Sequence, residues 1–404
     1  MSAGQAPVPH VVTVRGQDGP GIAARLFAAL AQLGVSVEDV EQVRVHGRLL
    51  LCVEIALAPD EADGARAAMG EALSGTGAEV GVEPLTEAEA DVGAAAERHL
   101  VTVLAPEIDA SALGSVTDAV AGSGGNIERI VRLAAYPVHS YELQVAGADL
   151  DTLRRTLAHE AAQHEVDIAV QVAGLHRRAK HLIVMDADST LLQGEVIDLL
   201  AQRCGCGAEV AAVTEAAMAG EIDFEEALRR RVRLLAGLKE PDLEAVRDAM
   251  LLTPGARTLV RTLKRLGYDL AVVSGGFTVV IESLVRDLGI DHLAANELVV
   301  DGGIVTGELR GPIVDRAGKA EALQRFARAA GVPLSRTIAV GDGANDIDML
   351  AAAGLGIAFN AKPVVRAAAD TALSVPYLDA ILFLLGISQR EVEVADRLEE
   401  GATL

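Results

Sequence analysis

Two aspartates one residue apart, Asp186 and Asp188, close an apolar run at 181–185 in the stretch VMDADST. On extended chain, residues i and i+2 project to the same side. Two like charges placed so are tolerable if a cation lies between them or if one carries a proton. The pair therefore asks for a metal ion or an acid–base role. A single aspartate after an apolar run is ordinary turn chemistry, but further groups recur downstream. Ser274, Gly275 and Gly276 end a second run, Lys319 opens an apparent helix at 318–326, and Gly341, Asp342, Gly343, Asn345 and Asp346 follow a third run. Together these segments supply carboxylates, a hydroxyl, an amine and flexible backbone, a mutually consistent set. The chemistry they allow is phosphoryl transfer. A phosphate needs positive charge and N–H donors around its oxygens, and Lys319, the Ser274 hydroxyl and the backbone near Ser274, Gly275 and Asp188 can provide them. Mg2+ prefers oxygen ligands and uses one or two carboxylates. Asp186 and Asp342 fit that need, with Asp188 joining through its carbonyl.

The elements that must position these groups follow from the pattern after His181. Strands at 181–186, 269–276, 292–300, 337–343 and 354–359 alternate with helices, which predicts a mostly parallel α/β sheet. In such sheets the ligand lies beyond the carboxyl ends of the strands, where all the groups above stand. Between Asp188 and Ser274 lies a long insert whose part at about 194–252 reads as helical. A helical insert behind a catalytic strand can act as a cap that excludes water and selects substrate.

The motifs carry a resemblance. DADST matches the first motif of the haloacid dehalogenase superfamily, Ser274 the second, Lys319 the third and GDGAND at 341–346 the fourth. The resemblance implies that Asp186 is a nucleophile forming an aspartyl phosphate and that Asp188 protonates the leaving oxygen, then activates water. The insert resembles the cap of the phosphoserine phosphatase family. By that resemblance Glu195 meets a substrate ammonium, Arg231 grips a carboxylate, and Met218 and Phe224 form an apolar wall. Ser274, Gly275, Lys319 and Asn345 then hold the phosphate. An arginine fork suits a carboxylate, although Arg229, Arg230 and Arg233 are nearby rivals and the choice of Arg231 rests on the resemblance. The implied activity is hydrolysis of O-phospho-L-serine to L-serine and phosphate, the last step of serine biosynthesis, by an HAD-like Rossmannoid domain at 180–396. Two alternatives stand beside it. One is a phosphatase of the same superfamily acting on a sugar phosphate or phosphohomoserine. The other is a catalytically silent amino-acid sensor.

The first half is a duplication. HVVTV at 10–14 and HLVTV at 99–103 are near copies. Each precedes a helix, at about 22–33 and 112–121, then two strands, a second helix and a last strand. Both copies thus read β-α-β-β-α-β, the ferredoxin-like plan. They resemble ACT domains, a family of amino-acid-sensing modules, and span 8–86 and 98–175. In the first copy Asp18, Gly19 and Gly21 place small residues and backbone N–H groups at a helix N-terminus, which suits an amino-acid carboxylate. The second copy, at 105–116, lacks the paired glycines. His10 and His99 stand at strand starts and read as surface histidines. An acidic stretch at 86–97 reads as a linker, and a second join falls at 175–180.

Composition bounds the rest. A chain of 404 residues accommodates two or three domains, and with 50% apolar but 2% aromatic residues its core must be built from Ala, Val, Leu and Ile. A net charge of −23 argues against nucleic acid and anionic membrane as partners. Three cysteines, Cys52, Cys204 and Cys206, imply no disulfide framework and fit a reducing compartment. Cys204-Gly-Cys206 has no second Cys/His pair at zinc-site spacing. No signal peptide or membrane-spanning run is legible, so a cytoplasmic protein is expected. Exposed sheet edges in paired ACT-like units suggest a homodimer. The tail from Glu391 reads as a charged helix end or disorder.

Overall fold

A computed structural model describes residues 7–58, 60–86, 97–174, 177 and 181–402, without the side chains at 218 and 400–402. The linker expected at 86–97 and the join at 175–180 fall almost wholly outside the described residues. The chain divides into two compact units, 1–96 and 97–404.

The first unit holds β1 (Val8–Gln17), β2 (Val37–Val45), β3 (Arg48–Leu57) and β4 (Glu79–Pro84), with helices Ile22–Leu33 and Ala62–Ala72. The sheet order is β2-β3-β1-β4, antiparallel throughout. Alternation decides which face is covered. Val12, Val14, Leu51, Val53 and Ile55 are buried against Leu26, Leu30 and Met69 of the helices. This is the expected ferredoxin-like plan. Strand β2 is an edge strand, and every one of its residues is exposed.

The second unit begins with the same plan. It has β5 (Arg98–Ala105), β6 (Asn126–Ala134), β7 (His139–Ala146) and β8 (Asp167–Val172), with helices Ala110–Gly122 and Leu150–His164, in the order β6-β7-β5-β8. His10 and His99 are not surface residues. They lie on central strands paired on both sides, at 2% and 0% exposure. Each ring spends a nitrogen on a carbonyl, His10 Nδ1 with Val8 O at 2.8 Å and His99 Nε2 with Ala148 O at 3.0 Å.

The same unit continues into a larger sheet. It comprises β9 (Leu182–Asp186), β10 (Asp269–Phe277), β11 (His292–Asp301), β12 (Ile304–Arg310), β13 (Thr337–Gly341), β14 (Gly356–Phe359) and β15 (Thr371–Leu373), ordered β12-β11-β10-β9-β13-β14-β15. All pairs are parallel except β11 with β12. Every residue of β9 and β13 is buried, as expected of strands covered on both faces. β9 lies between β10 and β13, so chain order reverses there and a crevice opens at its carboxyl end.

The insert after β9 forms helices Val196–Cys204, Gly207–Met218, Phe224–Leu234 and Glu240–Ala249. The insert, expected to be helical at about 194–252, is thus divided into separate helices. Gly220 takes a left-handed φ of 77°, and Asp223 restarts the chain as a cap, its Oδ1 accepting from Glu226 N at 2.7 Å. Cys204 and Cys206 are joined by a disulfide, contrary to the expectation from cysteine count, and Cys52 is free. The tail from Glu391 belongs to a helix, Gln389–Ala402, docked by Arg265 on Asp396. Among the described residues no helix is long and apolar enough to cross a membrane.

The second ferredoxin-like sheet and the larger sheet share one apolar core. Leu104, Leu133, Val138 and Ala169 belong to the same cluster as Leu378, Leu382 and Phe383. Arg177 locks the seam. It donates through Nε to Leu384 O at 3.0 Å and pairs through Nη1 with Glu142 at 2.6 Å.

Candidate active site

The site grows from the end of β9. Asp186 is its last residue, and the chain then turns sharply through Ala187–Leu191. Ser189 adopts φ 56°, a left-handed conformation that is uncommon outside glycine. The turn is closed by Ser189 N donating to Gly194 O at 3.1 Å and Leu192 N to Ala187 O at 2.8 Å. Asp186 and Asp188 are thereby both kept inside, at 3% and 8% exposure.

Their partners differ. Lys319, fully buried on helix Arg316–Ala329, places Nζ 2.8 Å from Asp186 Oδ1 and 2.7 Å from Asp346 Oδ1. Asp188 accepts from Val196 N at 2.7 Å through Oδ1 and from Ser274 Oγ at 3.1 Å through Oδ2. Gly276 N donates to Ser274 Oγ at 2.8 Å and fixes that hydroxyl. Thr190 Oγ1 donates to Asp342 Oδ1 at 3.2 Å. Ser274, Lys319, Asp342 and Asp346 thus converge on the β9 turn from separate elements.

Among the described residues, Asp186, Asp342 and Asp346 each bring one carboxylate oxygen within 4.8 Å of the others. This donor set, all oxygen and hard, fits a divalent cation such as Mg2+. The expected trio included Asp188. That place was assigned to its backbone carbonyl; its carboxylate accepts from Val196 and Ser274, and Asp346 brings a further carboxylate to Asp186 and Asp342.

The charges shift one another. Burial pushes Asp186 well above the ordinary carboxylate range, with Lys319 pulling the other way. Burial alone would lower Lys319, but Asp186 and Asp346 raise it overall. Asp188 is raised by burial against the pull of its two donors. Asp342 is pushed up to about 6 by burial and by Asp346. Both acids of the β9 turn are thus raised, but they face different partners, Asp186 a buried ammonium and Asp188 a hydroxyl and a backbone N–H.

The insert covers this cluster. Glu195 stands at the N-terminal boundary of helix Val196–Cys204, and its side chain makes no cap there. Burial of its carboxyl, together with the charges of Asp188, Asp342 and Asp198, raises it to about 7. Arg231 is half-buried on helix Phe224–Leu234; burial lowers its pKa, and the charge of Glu195 works the other way. Its buried Nε has no hydrogen-bond partner, an orphan that a ligand oxygen would satisfy. The rivals point elsewhere: Arg229 and Arg230 pair on the surface with Glu225 and Glu226, and Arg233 is exposed. The Phe224 ring lies 3.9 Å from where a Cβ on Gly275 would stand, so it reaches over that glycine. Asn345 is half-buried on the turn Ala344–Asp346. The Met218 side chain lies outside the described residues.

Two supporting residues had no motif to announce them. Asn296, 1% exposed on β11, donates to Gly275 O at 2.8 Å and accepts from Val314 N at 2.9 Å, which fixes the Ser274–Gly275 turn. Thr253 donates to Thr190 O at 2.6 Å and ties the insert's exit to the β9 turn. A polar residue inside an otherwise apolar strand, as in AANEL, was the available signal for the first.

The two ferredoxin-like units differ at their first helix. Gly21 begins helix Ile22–Leu33 at φ 90° with no side-chain cap, and Asp18 turns to Arg44 at 2.8 Å. Gly19 lies between them in open space. In the second copy Asp109 caps its own helix, accepting from Ala112 N at 2.8 Å. The first N-terminus is therefore open to an outside acceptor.

Comparison with known proteins agrees with this layout. Residues 183–351 match the haloacid dehalogenase-like hydrolase model, and residues 9–83 and 97–171 match ACT domain models. A phosphoserine phosphatase of Streptomyces coelicolor is 52% identical over 99% of this chain and 98% of its own length. The chain belongs to the phosphoserine phosphatase family. A family member from Mycobacterium tuberculosis is 49% identical over 97% of this chain and 96% of its own. Among solved structures, a probable phosphoserine phosphatase of Vibrio cholerae superposes with a TM-score of 0.58 at 33% identity, covering 73% of this chain and 88% of that one.

Proposed function

We propose that this chain hydrolyses O-phospho-L-serine to L-serine and phosphate. The observation that carries the reading is that the insert brings to the carboxylate cluster both the Glu195 carboxyl and an Arg231 whose buried Nε lacks a partner. Phosphoserine bears a phosphate, an ammonium and a carboxylate, and this site offers a complement to each.

In the proposed reaction Asp186 attacks phosphorus. The bond to the serine oxygen breaks, and Asp188 gives its proton to that oxygen. Water then attacks the aspartyl phosphate while Asp188 takes a proton from it, and the bond from Asp186 to phosphorus breaks. Burial favours the protonated form of Asp188 that the first half needs. Lys319, the Ser274 hydroxyl, the backbone N–H of Gly275 and Asn345 hold the phosphate oxygens. Phe224 and Met218 wall the cavity. Mg2+ held by Asp186, Asp342 and Asp346 would offset negative charge on the phosphate.

The test is phosphate release from L-phosphoserine, phosphothreonine and sugar phosphates, with and without Mg2+. A strong Mg2+-dependent preference for phosphoserine is expected. Equal turnover of a sugar phosphate would remove the assigned roles of Glu195 and Arg231.

A pH profile separates Glu195 further. Its folded pKa is raised to about 7, so its charged form gains population as pH rises through 7. An ammonium is bound better by that form, and KM for phosphoserine should therefore fall as pH rises through this window. Glu195→Gln should flatten the fall and raise KM by about tenfold or more, the worth of a charged hydrogen bond. An unchanged KM profile in that variant would refute the pairing.

The wider setting extends this reading. The first ferredoxin-like unit, with Asp18, Gly19 and Gly21 at an uncapped helix start, would take the carboxylate of an amino-acid effector, and serine as the product is the natural candidate. The exposed valines Val40 and Val43 on edge strand β2 favour pairing with a second copy. A cytoplasmic homodimer in serine biosynthesis is the setting we propose.

A further inference from the structure

A cavity of about 510 Å3 lies within the second unit, away from the residues assigned above. One wall is helix Leu150–His164 and strand β8; the other is the segment 366–372 that leads into β15. Its size is within the range of small-molecule pockets.

The lining has three parts. Leu157, Ile168 and Val170 supply an apolar floor. Two guanidinium groups stand over it. Arg154 makes no hydrogen bond or ion pair among the described residues, and Arg366 has only a long contact of 3.8 Å with Asp167. Two carboxylates complete the ring, each with one oxygen already used. Asp167 Oδ2 accepts from Ser374 N at 2.5 Å, and Asp370 Oδ2 accepts from Gly356 N at 2.7 Å. The other oxygen of Asp167 is the one that faces Arg366. Thr371, on the same wall, is 6% exposed, and its buried hydroxyl has no partner.

The charges cancel: two cations and two anions face one apolar cavity. A simple anion would meet Asp167 and Asp370 as repulsion, and a simple cation would meet Arg154 and Arg366. A zwitterion with an apolar side chain satisfies all of them. We infer that this cavity binds an aliphatic amino acid, carboxylate toward Arg154 and Arg366, ammonium toward Asp167 and Asp370. The site is distinct from the helix start at Gly21 and from the carboxylate cluster. Helix Pro363–Arg366, which carries one of its arginines, packs on the turn Ala344–Asp346, so the cavity adjoins the scaffold of Asp346.

Calorimetric titration of the full chain with L-leucine tests this, beside 4-methylpentanoate, which lacks the ammonium, and 3-methylbutylamine, which lacks the carboxylate. Saturable binding of leucine is expected, with both analogues at least about tenfold weaker, as loss of a charged hydrogen bond implies. Arg154→Ala and Arg366→Ala, both at exposed side chains that leave the core intact, should each weaken leucine by a similar factor. Asp18→Ala should leave leucine binding unchanged. The inference is overturned if leucine does not bind, if it binds equally well to both arginine variants, or if Asp18→Ala is the variant that removes it. Binding is read without turnover, so this outcome is independent of whether phosphoserine is the substrate.

Discussion

Asp186→Asn should abolish turnover while leaving the fold in place. The amide has the carboxylate's shape but cannot attack phosphorus, and removal of a covalent nucleophile costs at least about 10⁴-fold in kcat. Its neighbour should fail differently. Asp188→Asn keeps a side chain able to meet Ser274 but holds no transferable proton, and general acid–base catalysis is worth about 10²–10⁴-fold. Rapid acid quench with labelled phosphoserine separates the two. Phosphoenzyme should be absent in Asp186→Asn. In Asp188→Asn it should form slowly and persist, because its hydrolysis also needs the base. Trapped phosphoenzyme in Asp186→Asn would move the nucleophile to another residue.

Lys319→Met should damage stability as well as activity. Lys319 is the cation that offsets Asp186 and Asp346, and all three side chains are buried. Removing one partner of a buried ionic group costs about 3–5 kcal/mol, since the remaining charge is stranded. The pH dependence has a definite sign. Asp186 already has a raised pKa in the folded protein, and loss of Lys319 raises it further. A buried carboxyl with a raised pKa burdens the fold increasingly as pH rises from its unfolded value to its folded one, and in full above the folded one. The deficit should therefore shrink as pH falls toward the ordinary carboxylate range near about 4 and grow as pH rises. Mg2+ should stabilise the variant more than the parent, because it replaces the missing charge. Chemical denaturation at two pH values, with and without Mg2+, reads all of this. A variant as stable as its parent at pH 8 would show that Lys319 is not what makes the cluster tolerable.

Much of this was legible in the residues. The two ferredoxin-like units could be read because their covered faces alternate strictly, as in Val12, Val14 and Leu51, Val53, Ile55. Asp186, Asp188, Ser274, Lys319 and Asp342 could be found because each closes or opens a well-marked element. What escaped depends on contacts remote in sequence. Asp346 joins Asp186 and Asp342 in the carboxylate cluster because the three-residue turn Ala344–Asp346 aims it inward, and so short a turn has no periodicity to detect. Strand β12 is preceded by Gly302 and Gly303 and contains Gly307, all at positive φ, which hides its strand character. Strand β15 has only three residues. His10 and His99 looked like strand starts at a surface; pairing of their strands on both sides buries them. The choice of Arg231 over its neighbours needed the helix orientation, which sends Arg229 and Arg230 to Glu225 and Glu226.

The seam between the second ferredoxin-like sheet and the larger sheet bears on how such a gene can change. Leu104, Leu133 and Val138 are not packed only within their own repeat; they complete the core that holds Leu378 and Leu382. A gene shortened to begin at β9 would uncover an oily seam and strip Leu384 O of its donors Arg177 and Gln171. One shortened to begin near Glu97 would keep the seam closed. Recombination that shuffles modules is constrained in the same way. The second repeat can be replaced only together with the patch of catalytic surface that has been shaped to it.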